Sequence, residues 1–315
     1  MSGLMRSNIG LGLVQAGGPM SFYPDRDPAE FRSVVRKAVK IGVRSFDSAY
    51  TYPEADAILA SVLKERHIQR EEYDITEKVM CVPSFRRKAE TCLKRLGSEY
   101  LDTLLIHWPT HDGKLLFSVL KELEGLKKEG KCLKTGVSNF PSSLLAEVSS
   151  DFEINVTERP FSLLWTKDHR EAAAISRQNN ISMYCYGPLG FGLLSGNYET
   201  RDSLTDDRRL LWVFDHEREY HALLEEIRKI STDHECTTCE VALAFASSWG
   251  YEKVFAGART ESQLDIFTRS VTLDEEELSR LYRRADELSA VEGVACACPL
   301  EGEHSAHMVY DTERG

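Results

Sequence analysis

The sequence lacks the features that would place the chain in a membrane or on nucleic acid. None of its 315 residues belong to an uninterrupted apolar run approaching the roughly 18 residues that a spanning helix needs. The opening residues, MSGLMRSNIG, contain no basic segment followed by an apolar one, so no secretion signal is expected. A formal net charge of -11 argues against a broad phosphate-binding surface. We therefore expect a cytoplasmic protein without a membrane or nucleic-acid partner.

A second absence concerns the glycine pattern that binds dinucleotides in open α/β sheets. No G-x-G-x-x-G opens a helix, and the early GLG is followed by LVQAGG instead. The composition is nevertheless that of a globular protein, with 42% hydrophobic and 28% charged residues. A chain of this length can bury a large core in one domain, or two at most.

The cysteines are not expected to form disulfides, because the chain is long and has no secretion signal. They are Cys81, Cys92, Cys132, Cys185, Cys236, Cys239, Cys296 and Cys298. The CAC motif near the end is followed by His304 and His307, but this tail matches no pattern to which we can assign a role.

The HECTTCE motif allows two interpretations. Cys236 and Cys239 have a spacing found in zinc sites, although zinc needs about four well-placed ligands. The same segment fits a capping box, from Thr237 to Glu240, that begins the apolar helix VALAFASSW. Because a spacing match alone is often false, we favour the helix start and expect no metal site.

Short β-rich apolar runs alternate with longer amphipathic runs along nearly the whole chain, which predicts parallel strands joined by helices. The strand candidates are IGLGLV, GVRSFD, YDIT, DTLLIH, CLKTGVS, FEINVT, ISMYCY and KVFAGA. About eight such units in one domain predict a (β/α)8 barrel, an α/β fold of the TIM-barrel class. We expect the barrel over about residues 8–270, with a C-terminal helix and tail over 271–315.

Polar residues collect at the ends of the predicted strands, where a (β/α)8 barrel carries its active site. They are Asp47, Lys78, His107, Ser138, Asn139, Glu158 and Tyr186. Any one of them could be an ordinary loop residue, because strand ends face solvent. Their occurrence after six different strands favours a shared site.

Seven stretches resemble the aldo-keto reductase family, in the family's order. They are GVRSFDSAYTY, ITEKVM, CLKRLGSEYLDTLLIHWP, KTGVSNF, YGPLGFGLLSGNY, VALAFA and AGARTESQL. The most specific are YLDTLLIHWP and GVSNF. The resemblance implies a barrel that binds a nicotinamide dinucleotide in extended form.

The resemblance also implies a catalytic tetrad of Asp47, Tyr52, Lys78 and His107, with Tyr50 as a bystander. A carbonyl that receives hydride needs a proton donor, and a tyrosine is too weak an acid unless a neighbour stabilises its phenolate. Lys78 would do this while Asp47 keeps the lysine charged, and His107 would orient the carbonyl. The alternative is a buried Asp–Lys pair beside a packed tyrosine.

The implied nicotinamide contacts lie in two of these motifs and at Glu158, which falls between them. Ser138 and Asn139 resemble the pair that binds the nicotinamide carboxamide, and Tyr186 resembles the aromatic residue that stacks on the ring. Glu158 stands where a glutamine commonly contacts the carboxamide. Gly187 and Leu189 continue the Tyr186 motif and are expected to line the cofactor.

The GARTESQL motif is expected to bind the adenosine end of the cofactor through Gly257, Arg259 and Gln263. Arg259 follows a strand and Thr260 is predicted to begin a helix, so a guanidinium and helix amides would converge on a phosphate. The resemblance assigns this position to the 2'-phosphate of NADP, so NADPH is preferred over NADH. A surface arginine at a helix start is the alternative. Phe267 stands where an asparagine often helps to hold the adenine.

Together these features predict an NADPH-dependent reductase of a small aldehyde, ketone or sugar-like substrate, or the reverse alcohol dehydrogenase. A cofactor-binding regulatory subunit with weak or no turnover is the alternative, although the complete tetrad favours an enzyme. A metal-dependent hydrolase would need several His and Asp ligands at strand ends, and only His107 is present there.

Overall fold

The computed structural model describes residues 8–17, 26–166, 169–205 and 212–289. Eight parallel strands in this part of the chain pair in sequence order, and the last strand pairs with the first to close a barrel. The strands are β1 Ile9–Gly12, β2 Ser45–Asp47, β3 Asp74–Val79, β4 Leu101–Ile106, β5 Cys132–Ser138, β6 Val156–Pro160, β7 Ser182–Tyr186 and β8 Lys253–Ala256. The predicted (β/α)8 barrel is confirmed.

Helices surround the barrel because each one carries an apolar stripe that packs on the strands or on a neighbouring helix. They are α1 Pro28–Lys40, α2 Pro53–Glu65, α3 Phe85–Leu96, α4 Gly113–Lys128, α5 Ser142–Asp151, α6 His169–Gln178, α7 Glu217–Asp233, α8 Thr238–Ser247 and α9 Glu275–Ser289. In α1, for example, Phe31, Val34, Val35 and Ala38 recur at helical spacing and are fully buried. Among the described residues no helix is both long and apolar enough to cross a membrane.

The barrel interior is layered, because side chains two residues apart on a strand point to the same side. Leu105, Val156, Tyr184 and Phe255 form a separate buried cluster. His107, Glu158 and Tyr186 each stand two residues beyond a member of that cluster. The polar groups at the carboxyl ends of the strands therefore rest on an apolar layer that closes the barrel beneath them.

The sixth strand differs from its predicted position. The sequence predicts a strand over FEINVT, but β6 starts at Val156 and continues to Pro160. Asn155 lies just before it, and its side-chain Oδ1 accepts a hydrogen bond from the Thr135 backbone N–H at 3.0 Å. Glu158 is therefore inside the strand and fully buried, opposite Ser138 of β5.

The HECTTCE motif forms the predicted capping box. The Glu240 backbone N–H donates to Thr237 Oγ1 at 3.2 Å, and the Thr237 backbone N–H donates to Glu240 Oε2 at 2.7 Å. Cys236 and Cys239 belong to no group of three or more potential metal ligands among the described residues. The other candidates, Cys296, Cys298, His304 and His307, lie outside the described residues.

Candidate active site

The centre of the site is a lysine held between two carboxylates. Lys78 of β3 forms an ion pair with Asp47 of β2, and its Nζ lies 3.2 Å from Oε1 of Glu158 on β6. The three residues are 3%, 7% and 0% exposed. The barrel brings them together because all three side chains point inward at the carboxyl ends of their strands.

Burial and charge act in opposite directions on these groups. Burial disfavours the Lys78 ammonium, but Asp47 and Glu158 outweigh it and raise the lysine pKa above its usual value. Burial, followed by the charge of Asp47, raises the pKa of Glu158 to about 8, although Lys78 pulls it down. Glu158 Oε2 is buried without a hydrogen-bond partner. The geometry thus favours a charged lysine and a protonated Glu158 at neutral pH.

Tyr52 and His107 lie beside this cluster. Their rings meet edge to face at 90°, with centroids 6.3 Å apart, and both residues are buried. Burial, helped by the nearby Lys78 charge, holds the pKa of His107 well below its usual value. The imidazole is therefore neutral. Burial raises the pKa of the Tyr52 phenol, whereas the Lys78 charge lowers it.

Tyr50, the other tyrosine of the FDSAYTY motif, has a different environment. Lys88 Nζ and the Arg95 guanidinium each lie 4.6 Å from the centroid of its ring. Both cations belong to α3. The structure thus places Tyr52 beside His107, and Tyr50 against the surrounding helices.

Ser138, Asn139 and Tyr186 form a hydrogen-bonded chain that leads to the lysine cluster. Tyr186 donates its hydroxyl proton to Asn139 Oδ1 at 2.7 Å. Asn139 Nδ2 donates to Ser138 Oγ at 3.1 Å and to the His107 carbonyl at 3.0 Å. Asn139 has a φ of 63°, a left-handed conformation that asparagine tolerates well and that directs the chain out of β5. Ser138 Oγ in turn lies 3.5 Å from Glu158 Oε1.

Gly187 and Leu189 form the turn that follows Tyr186. Gly187 has a φ of 67°, which glycine adopts without strain. A Cβ at this position would lie 3.6 Å from the Trp165 ring. Leu189 is half-buried and packs against the core.

Thr260 begins a helical segment as predicted, since its Oγ1 accepts a hydrogen bond from the Gln263 backbone N–H at 3.4 Å. The helical segment is a short 3-10 helix over Ser262–Phe267, and the amides ahead of it are already bonded. Gln263 Oε1 accepts from the Arg259 N–H at 2.7 Å and from the Thr260 N–H at 3.4 Å. Two backbone donors therefore converge on one acceptor oxygen, which the chain supplies from its own glutamine.

The remaining residues of this loop divide between surface and core. Gly257 is exposed and directly follows β8. The Arg259 side chain is half-buried and donates to Tyr198 Oη at 3.4 Å, while Arg26 donates to the Arg259 carbonyl. Phe267 is fully buried in the main core, so it does not present its ring to an adenine.

A second carboxylate pair lies on the outer side of β3, and the sequence reasoning missed it. Asp56 of α2, Glu77 of β3 and Cys92 of α3 are fully buried, with potential ligand atoms within 4.8 Å of one another. Ser48 Oγ donates to Asp56 Oδ1 at 2.6 Å, and the Lys78 backbone N–H donates to Glu77 Oε1 at 3.2 Å.

This outer pair retains unsatisfied oxygens, since Asp56 Oδ2 and Glu77 Oε2 have no hydrogen-bond partner. Burial raises the pKa of Asp56 to about 6 and that of Glu77 well above its usual value, with the Asp56 charge adding to the Glu77 shift. The ITEKV pattern did contain a signal, because it places Glu77 on the strand face that must pack against helices.

The fold and the buried cluster define a (β/α)8 barrel with a candidate active site at the carboxyl ends of its strands, and comparison with known proteins gives the family. The Aldo/keto reductase family model matches residues 8–285. The chain belongs to this family and is an NAD(P)-dependent oxidoreductase of small carbonyl compounds.

Two relatives illustrate the range of similarity. The chain is 27% identical over 324 residues to a D-galacturonate reductase of Fragaria ananassa, covering 93% of this chain and 92% of that protein. It is 33% identical over 176 residues to a 9,11-endoperoxide prostaglandin H2 reductase of Trypanosoma cruzi (strain CL Brener). The second match covers 54% of this chain and 61% of that protein.

A solved structure supports the fold independently. The glycerol dehydrogenase from Gluconobacter oxydans superimposes with a TM-score of 0.74 at 19% identity, covering 94% of this chain and 97% of that chain. At this identity the similarity establishes the barrel fold and does not identify the substrate.

The outer carboxylate pair generates a stability prediction. The folded-state pKa of Asp56 is raised to about 6. Protonated Asp56 therefore stabilises the folded state at low pH, and this stabilisation is lost as the pH rises through that value. Asp56→Asn keeps an acceptor for Ser48 and offers Glu77 a donor. When the pH rises from 4.5 to 8, the unfolding free energy of Asp56→Asn should increase relative to that of wild type by on the order of 2 kcal/mol, because only wild type must ionise a buried Asp56.

Urea unfolding at the two pH values measures this difference. Asp151→Asn, an exposed change at the end of α5, is the matched control and should follow wild type at both pH values. If Asp56→Asn showed the same pH dependence of stability as Asp151→Asn, the pKa of Asp56 would not be raised in the folded state.

Proposed function

We propose that the protein is an NADPH-dependent reductase of small aldehydes, ketones or sugar-like carbonyl compounds that uses Tyr52 as its proton donor. The observation that carries the proposal is the buried Lys78, which is paired with Asp47 and adjoins Tyr52 and His107 at the carboxyl end of the barrel. An alcohol substrate would run the same chemistry in reverse. The resemblance of the D-galacturonate reductase over nearly the full chain supports a polyhydroxylated carbonyl as one candidate substrate.

The residues present fit a nicotinamide cofactor in their chemistry. Ser138 and Asn139 offer a hydroxyl and an amide suited to a carboxamide, and the half-buried ring of Tyr186 offers a stacking surface. Gly187 and Leu189 would line the same wall. A nicotinamide cofactor, when bound, supplies the hydride for reduction and accepts it for oxidation.

The proton chemistry belongs to the protein. Tyr52 donates its phenolic proton to the carbonyl oxygen as charge develops there, and the adjacent Lys78 ammonium stabilises the phenolate that remains. Asp47 keeps that ammonium in place. His107, which is neutral, donates an N–H to the same oxygen and orients the carbonyl.

The preference for NADPH rests on Arg259. Its guanidinium is half-buried in the loop after β8, and it is the residue of this loop best suited to a phosphate monoester. A Cβ at Gly257 would lie 3.1 Å from Gln15 Cγ, so any larger residue would crowd this loop. Gln263 Oε1 occupies the two amides that a phosphate oxygen could also use, so we expect this side chain to rearrange when the cofactor binds.

The first test of the function is Tyr52→Phe, assayed by nicotinamide absorbance with a panel of aldehydes, ketones and keto sugars that includes D-galacturonate. Loss of the proton donor should lower turnover by about 10²- to 10⁴-fold. The cofactor Kd, measured by protein fluorescence, should change little because the hydroxyl is not among the cofactor contacts.

Tyr50→Phe is the matched control, since it removes the same atom from the neighbouring tyrosine. It should keep wild-type turnover. If Tyr52→Phe kept near-normal turnover, the Tyr52 hydroxyl would be excluded as the proton donor. A wild-type protein that binds NADPH tightly but reduces nothing in the panel would favour a regulatory role.

The second test is Arg259→Met, which removes the charge while keeping much of the side-chain length. It should weaken NADPH binding by about 1.5 to 3 kcal/mol, the scale of a charged hydrogen bond, and leave NADH binding nearly unchanged. Fluorescence titration with both cofactors measures the change. Arg283→Met, an exposed change on α9, should alter neither Kd, and equal weakening of both cofactors by Arg259→Met would contradict the 2'-phosphate assignment.

A further inference from the structure

We propose that Glu158 stores the proton that carbonyl reduction consumes and delivers it through Lys78 to Tyr52. The inference rests on the proposed function, because it assigns a role in that reaction to a residue that the proton chemistry above does not use. Glu158 would be a positioning and proton-storing residue, and it would not touch the substrate.

The position of Glu158 suits proton storage. It is fully buried, its Oε1 lies 3.2 Å from Lys78 Nζ, and its Oε2 has no partner. A short path therefore joins a carboxyl to the ammonium that serves Tyr52, away from solvent. A glutamine at this position could make a hydrogen bond to Lys78 but could hold no transferable proton.

The titratable groups around Glu158 come from four elements. Asp47 projects from β2, Lys78 from β3 and Tyr52 from the turn before α2. Cys185 lies on β7, and its pKa is raised first by burial and then by the charge of Glu158. The neighbouring Arg159 points to the opposite side of β6, where it donates to the Phe140 carbonyl. Lys78 is thus the cation in direct contact with Glu158.

Charge balance inside the buried site gives the physical reason. With Glu158 protonated, Asp47 and Lys78 cancel, and the site is neutral beside a reduced, uncharged nicotinamide ring. Once the ring is oxidised it is positive, and an ionised Glu158 cancels that charge. A buried site that stays neutral in both states avoids the cost of an uncompensated charge in a low dielectric. Glutamine would leave the oxidised state with one excess positive charge.

The proton transfers balance as follows. A bound reduced nicotinamide would give up a C–H bond to supply the hydride that forms the new C–H bond at the carbonyl carbon, while the Tyr52 O–H bond breaks and its proton forms the alcohol O–H. The phenolate recovers a proton from the Lys78 ammonium, and the lysine recovers one from the Glu158 carboxyl. Glu158 ends as a carboxylate, and it regains a proton from water when the oxidised cofactor leaves.

The pKa of Glu158 supports this sequence. Burial and the charge of Asp47 raise it to about 8, so the carboxyl carries its proton at pH 7 before the oxidised cofactor binds. A positive ring nearby favours the carboxylate and lowers that pKa. Binding of NADP⁺ must then release a proton, whereas binding of NADPH need not.

Proton release on cofactor binding tests the proposal without measuring turnover. NADP⁺ or NADPH is added to the protein at pH 7 in weak buffer with an indicator dye, and binding is followed in parallel by protein fluorescence. Wild type should release close to one proton more per NADP⁺ bound than per NADPH bound. Between pH 6 and 8, its ratio of NADP⁺ Kd to NADPH Kd should fall by up to about tenfold per pH unit. The shared 2'-phosphate cancels in this ratio.

Glu158→Gln should bind both cofactors, release no extra proton with NADP⁺ and show a pH-independent Kd ratio. Glu252→Gln, an exposed change just before β8, is the matched control and should behave as wild type. If Glu158→Gln fails to fold, the wild-type proton count decides alone. Binding of NADP⁺ without proton release, or equal release by wild type and Glu158→Gln, would overturn the proposal and leave the proposed function intact. Failure of both cofactors to bind would overturn the function itself.

Discussion

The structure depends on one buried cation. Lys78 is almost completely removed from water, a position that an isolated ammonium cannot hold without losing its charge. Asp47 keeps it charged and the Glu158 carboxyl lies against it, and both reach it only because β2, β3 and β6 end at the same rim of a closed barrel. Removing one partner of such a buried pair typically costs about 3–5 kcal/mol of folding stability. The strand register that brings these residues together therefore also determines the charge and the geometry of the site.

The apolar layer below the cluster gives these charges their strength. Leu105, Val156 and Tyr184 fill the barrel directly beneath His107, Glu158 and Tyr186, so water cannot screen the site from that side. The same dry surroundings keep His107 neutral and raise the pKa of Glu158. Burial therefore does more than stabilise the fold, since it assigns a protonation state to each group in the site.

The parts of the molecule that could be predicted were those with a local signal. The alternation of strand and helix predicted the barrel, and Asp47, Lys78 and His107 could be placed together because strand ends share a rim. The outer pair of Asp56 and Glu77 was missed because its contacts join residues of different elements, although the alternation in ITEKV places Glu77 on the face of β3 that packs against helices. The helical start at Thr260 could be predicted, but the GARTESQL pattern did not show that the Gln263 side chain bonds the Arg259 and Thr260 amides. Such competition between local partners is decided by geometry that a sequence pattern does not contain.

The central claim is that the Lys78 charge, held by Asp47, makes Tyr52 an effective proton donor. Single-turnover reduction of an aldehyde by Lys78→Met with bound NADPH tests it most directly, with circular dichroism to verify the fold and fluorescence to verify cofactor binding. We expect hydride transfer to slow by at least about 10²-fold while the NADPH Kd stays close to wild type. A folded Lys78→Met protein that reduced the aldehyde at nearly the wild-type rate would contradict the account.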